Sequence, residues 1–175
     1  MNGNGIKKFY GRYRGTVANN VDPKRLGRLQ VVVPDVLGDE SCVWAEPATP
    51  LAGSNMGIFF VPDNNTGVWV EFQQGDPNYA IWTGGWRGSS SDEPDAASAA
   101  APTNPPIILQ TRTQNQLIIS SSPGEGLTLQ TGAGSQGPQI VITSTSIKLS
   151  TGQGATVELT GKSVNINGTS LTIVG

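Results

Sequence analysis

From residue 107 to residue 173 the apolar residues recur in pairs set two positions apart. The pairs are Ile107/Leu109, Leu117/Ile119, Leu127/Leu129, Ile140/Ile142, Ile147/Leu149, Val157/Leu159, Val164/Ile166 and Leu171/Ile173. Side chains alternate across a strand, so each pair predicts a short strand with one apolar face. Successive pairs begin 10, 10, 13, 7, 10, 7 and 7 residues apart, with turn formers such as "SSPGEG", "TGAGSQGP" and "TGQGA" between them. That is an irregular repeat of one strand and one turn, the pattern of a stacked β architecture. Two aliphatics per strand are too few for a sandwich core, which is about 10 Å thick, and a lone sheet would leave open edges. Three copies wound about a common axis solve both problems, since each apolar face then meets the others. Residues 107–175 are therefore expected to form an intertwined trimeric β-helix or β-prism. The expected axis residues are Leu117, Ile119, Leu127, Leu129, Ile140, Ile142, Ile147, Leu149, Val157, Leu159, Val164, Ile166, Leu171 and Ile173.

The first half reads differently. "YRGTVANNV", "GRLQVVVP", "SCVWAEPA", "MGIFFVP", "GVWVEFQQ" and "YAIWTGGW" are alternating or continuous apolar runs separated by turn chemistry. Five or six short strands in so small a space predict a closed five-stranded Greek-key barrel of the OB type. Its expected core is Val17, Val31, Trp44, Val68, Val70 and Phe72, with bulges or bends at Gly15, Gly27 and Gly57. Between the halves, "GSSSDEPDAASAAAPTNPP" carries no large apolar side chain and reads as a solvated linker rather than a helix. The expected organisation is a barrel domain over 1–88, a flexible linker over 89–106 and the β-repeat over 107–175. All eleven aromatic residues precede the linker.

Composition supports an all-β chain: 23 Gly and 12 Pro against 14% charged residues. The net charge of −2 argues against general attraction to nucleic acid or an anionic membrane. The start, "MNGNGIKKFYG", has no apolar core of a signal peptide, and no run approaches the ~20 residues of a membrane span. The single cysteine, Cys42, excludes an internal disulfide and is expected to be a small buried residue in a protein made in the cytoplasm.

Candidate chemistry is sparse. There is no histidine to activate a serine or cysteine nucleophile or to join a soft-metal site, so neither catalysis nor a cofactor is expected. The carboxylate pairs Asp39/Glu40 and Asp92/Glu93 fall in a loop and the linker, without the apolar shelter an acid catalyst needs. "DNNTG" at 63–67 echoes a calcium loop, but Gln74 stands where its glutamate is required, and a turn is expected instead. The strongest feature is basic: Lys7, Lys8, Arg12, Arg14, Lys24, Arg25 and Arg28, with Asp22 the one acid among them. With Phe9, Tyr10 and Tyr13 interleaved, it raises the alternative of a single-strand nucleic-acid-binding barrel. Against that, residues 1–88 hold eight basic and eight acidic residues, and such a module has no use for the β-repeat. A trimeric fibre recognising polysaccharide is a third reading, weakened by the absence of stacking aromatics after the linker.

The ordered positions Gly15, Val17, Asp22, Pro23, Gly27, Arg28, Val31, Pro34, Trp44, Pro62, Gly67, Val68, Val70, Phe72, Gly75, Asp76, Pro77 and Gly84 resemble the OB domain of the phage baseplate assembly protein V family. The β-repeat is similar to that family's needle. The resemblance implies a structural homotrimer in the baseplate of a virion tail or related contractile injection particle. Its barrels would dock on a hub protein through the basic cluster, and its needle would contact the target membrane transiently. Some relatives carry a cell-wall-cleaving domain between barrel and needle; only the nineteen residues from Gly88 to Pro106 stand in that place here. Some spikes end in a His-x-His iron site; without histidine, the ending "LTIVG" implies a blunt tip to be capped by a separate protein.

Overall fold

The computed structural model describes residues 7–168 and 170–174, which form two compact units, 1–88 and 89–175. The beginning in which no signal peptide was read, residues 1–6, and the final Gly175 lie outside the described residues.

The first unit is a closed five-stranded barrel. Its strands are β1 (Tyr13–Asn19), β2 (Leu29–Val32), β3 (Cys42–Pro47), β6 (Gly67–Phe72) and β7 (Ala80–Gly85), and its order is β1-β2-β3-β7-β6, closing on β1. All pairs are antiparallel except β3 with β7. Period-two alternation fills the interior: Val17, Leu29, Val31, Val33, Ala45, Val68 and Val70 are fully buried, and Phe72 and Ala80 nearly so. Phe9, Tyr13 and Phe72 pack ring to ring with centroids 5.8–6.3 Å apart.

Five expectations are corrected in this unit. Trp44 is not a core residue: Ala45, paired with Leu29, points inward, so its neighbour Trp44, paired with Gln30, lies on the outer surface. Cys42, in the same strand, is exposed. The strand bulges fall at Ala18 in β1 and Thr83 in β7, while Gly27 and Gly57 take positive φ without a bulge. Gly15 instead sits inside β1, where a Cβ would approach Val70 to 2.9 Å and the Val32 carbonyl to 3.1 Å. "MGIFFVP" is not a barrel strand: only β5 (Met56–Gly57) is paired, in a two-residue hairpin with β4 (Ala52–Gly53). Finally, one helical turn appears unannounced as α1 (Pro34–Leu37), with proline at its start.

The segment after the barrel is not devoid of helix as expected. A 3-10 turn at Ser90–Asp92 is closed by a capping box from Ser89, and α2 (Asp95–Ala99) takes up the alanines.

The second unit is one eight-stranded antiparallel sheet in sequence order. It comprises β8 (Ile107–Gln110), β9 (Gln116–Ile119), β10 (Leu127–Gln130), β11 (Gln139–Ile142), β12 (Ser146–Ser150), β13 (Thr156–Thr160), β14 (Ser163–Ile166) and β15 (Leu171–Val174). Every one of these ladders joins consecutive strands of the same chain.

Candidate docking and assembly surfaces

The register of the sheet aligns all eight aliphatic pairs. One row runs Leu109, Leu117, Leu129, Ile140, Leu149, Val157, Ile166, Leu171; the other runs Ile107, Ile119, Leu127, Ile142, Ile147, Leu159, Val164, Ile173. The fourteen residues assigned to an axis thus share one face, joined by Ile107 and Leu109. Twelve of these sixteen side chains are exposed, between 37% and 63%. A contiguous apolar surface on this scale marks an interface. The other face carries a feature that sequence reading missed, a row of opposed glutamines, Gln110, Gln116, Gln130 and Gln139. Beside it Lys148 stands opposite Glu158.

The basic residues of the barrel do not form one patch. Arg28 Nη2 donates to Asp22 Oδ1 at 2.6 Å, and its guanidinium lies 4.7 Å from the Trp44 ring centre. That bond holds the Asp22 carboxyl well below the usual carboxylate range, aided by the backbone N–H groups of Leu26, Lys24 and Arg28, which all donate to it. Arg28 is correspondingly raised. Arg12 pairs with Glu71 at 2.6 Å and Lys8 with Asp76 at 3.6 Å. Asp76 is lowered first by the Asn78 backbone N–H, and less by Lys8. Lys7 sits 5.0 Å from the Phe9 ring centre. Arg14 lies over Trp86 at 4.9 Å and Trp69 at 5.8 Å. Lys24 and Arg25 are exposed and have no ion pair among the described residues.

The partners Glu71 and Asp76 come from β6 and the turn after it, so two of the seven cations that looked unopposed along the chain are paired in space. "DNNTG" is a turn: the Thr66 N–H donates to the Asp63 carbonyl, and Asn65 takes a left-handed conformation. Asp39, Glu40, Asp92 and Glu93 are exposed. No cluster of three metal-ligating side chains occurs among the described residues, and no helix among them is long and apolar enough to cross a membrane.

Two family models match the chain. Residues 13–86 match the type VI secretion system/phage-baseplate injector OB domain, which coincides with the closed barrel. Residues 106–172 match the phage baseplate V C-terminal trimerisation domain, which coincides with the sheet and its apolar face. No curated protein matches the chain.

Proposed function

The chain belongs to the phage baseplate protein V family, and from that membership we propose that it is the homotrimeric central spike of a contractile tail or related injection apparatus. The observation that carries this reading is the apolar face of the sheet: sixteen aliphatics in two unbroken rows, mostly exposed in a single chain. Three such faces turned toward one axis bury one another, and closed cyclic symmetry needs no second kind of subunit. The glutamine and lysine/glutamate rows then lie on the outward face.

In this reading the barrels dock on the hub and the three sheets form the needle. Piercing is passive: the force comes from contraction of the surrounding apparatus, and the chain contributes shape and resistance. Its place is the tail baseplate of the virion, or the equivalent position in an injection particle, with the free end of the needle covered by a separate tip protein. No catalytic step is assigned to any residue.

The test is the mass of the purified chain in solution. Light scattering should give three times 18.3 kDa, and particles assembled without the chain should contract but fail to deliver their contents. A folded monomer at micromolar concentration would overturn the spike.

A further inference from the structure

The barrel unit carries an apolar surface of its own, distinct from the sheet. Between β3 and β6 the chain forms an arm whose base is well held. Ile58 N–H donates to the Leu51 carbonyl at 3.1 Å, and the Thr49 hydroxyl lies 3.0 Å from the Ile58 carbonyl. Beyond this base stand Ile58, Phe59 and Phe60, exposed by 41%, 73% and 60%. They are the one run of three consecutive exposed large apolar residues among the described residues of the barrel unit. Phe59 lies against the loop over 22–28, since a Cβ on Gly27 would be 3.4 Å from its ring. Leu26, next to Gly27, is 59% exposed.

That loop is pinned from within. The Asp22 carboxylate accepts bonds from three of the loop's backbone N–H groups and from the Arg28 guanidinium. The same loop presents Lys24 and Arg25, two members of the basic cluster that have no ion pair among the described residues. Aromatic side chains at the centre with unmatched cations at the rim is the anatomy of a protein-docking patch. The rigid arm and loop also lower the entropic cost of binding.

We infer that Ile58, Phe59, Phe60 and Leu26, rimmed by Lys24 and Arg25, form the barrel's docking surface for the hub, and that the hub meets it with an apolar cleft edged by carboxylates. The inference rests on the hub-docking reading above and names its contact. The patch brings two positive charges without an ion pair among the described residues, which an acidic rim on the hub would match. A second copy of the chain is the poorer fit, because self-association already has a far larger surface in the sheet. Of the seven basic residues singled out in the sequence, Lys24 and Arg25 remain in the docking surface. Arg12, Arg28 and Lys8 serve ion pairs on the barrel unit itself.

The experiment mixes the full-length chain with the purified hub protein of the same particle and measures affinity and complex mass. Three variants are compared: F59S with F60S, K24E with R25E, and Y10S as a control, since Tyr10 is also 73% exposed but lies outside the patch. The expected result is a loss of at least ~30-fold for the phenylalanine pair, as for a hot spot. The charge reversal should also weaken binding and flatten its dependence on salt. Y10S should bind as wild type, and all variants should keep the mass of the unmixed wild-type chain. Binding by F59S/F60S equal to wild type would overturn the surface and leave the hub reading standing. A wild-type chain that does not bind the hub would remove the reading itself. Loss of self-association in F59S/F60S would identify a second copy as the occupant and overturn the inference.

Discussion

Leu149, near the middle of the sheet, offers the sharpest test of the apolar face as the shared interface. It stands in β12 between Ile140 and Val157 in the register and is 44% exposed in the single chain. Complete burial of a leucine side chain contributes about 1.5–3 kcal/mol. The fraction still available to assembly is therefore worth ~1 kcal/mol per chain, or ~3 kcal/mol when three copies lose it together. Leu149→Ala should then weaken trimerisation by roughly 100-fold. Leu149→Asp goes further, because each copy would bring an unpaired carboxylate to a dry surface, at several kcal/mol per charge. Lys148 is the matched control: one residue earlier in the same strand, it occupies the opposite face. Because sixteen residues per chain contribute, the comparison needs a urea concentration at which the wild-type trimer is half dissociated, read by sedimentation equilibrium. Under those conditions Leu149→Asp should be monomeric, Leu149→Ala largely so, and Lys148→Ala unchanged. Equal dissociation of Leu149→Ala and Lys148→Ala would refute the argument, since the two faces would then contribute alike.

Two further outcomes concern the barrel. The Asp22 carboxyl is lowered in the folded chain, so its stabilisation is fully present above the ordinary aspartate range near pH 4 and fades as the pH falls below it toward the folded value. Asp22→Asn should accordingly be less stable than wild type at pH 7, with the gap narrowing between about pH 4 and pH 2; a gap constant across that window in denaturant titrations would contradict the assignment. A methyl group on Gly67 would collide with the Trp86 ring, whose Nε1 donates to the Gly15 carbonyl at 3.2 Å. Gly67→Ala should cost about 1–3 kcal/mol and shift tryptophan emission to the red, and unchanged stability and emission would show that the ring has room to move.

How far the sequence could be read depended on whether the deciding contact was local. In the sheet each strand carries its own pair of aliphatics and pairs with its neighbour in the chain, so spacing alone exposed all eight strands and the shared face. In the barrel, Val17 alternates with Thr16 and Ala18, and Val68 and Val70 share one parity with Phe72, so period two made them legible. "CVWA" was not, because four apolar residues in a row fit either parity. The pairing of Leu29 with Ala45, sixteen residues apart, decides it and turns Trp44 outward. "MGIFFVP" has strand composition but pairs only at Met56–Gly57, in its own small hairpin, since the closed ring leaves no edge for a sixth strand. Its apolar residues therefore stay exposed, and the docking arm was hidden inside an expected strand. The ion pairs were the least legible part. Arg12 meets Glu71 across 59 positions and Lys8 meets Asp76 across the barrel's closing contacts, and no local pattern announces either.

The direction of the ladders within each sheet bears on how such a sheet would carry load. The strands of the sheet are four or five residues long, about 13–17 Å, while eight of them side by side span roughly 34 Å at ~4.8 Å per strand. The long dimension of the sheet thus runs across its strands, along the ladder hydrogen bonds. A needle made of three such sheets would carry axial force through those bonds and not along covalent backbone. Compression presses neighbouring strands together, and buckling is opposed by the aliphatic rows, which run the same way and lock each sheet to the other two. Tension has the opposite effect: it loads one ladder of four or five residue pairs at a time, and a terminal strand can leave without disturbing the rest. In a trimer, resistance to pulling would then come from the shared apolar face, which three chains must part together. An object that is stiff when pushed and weaker when pulled suits a part driven once, in one direction, through a barrier.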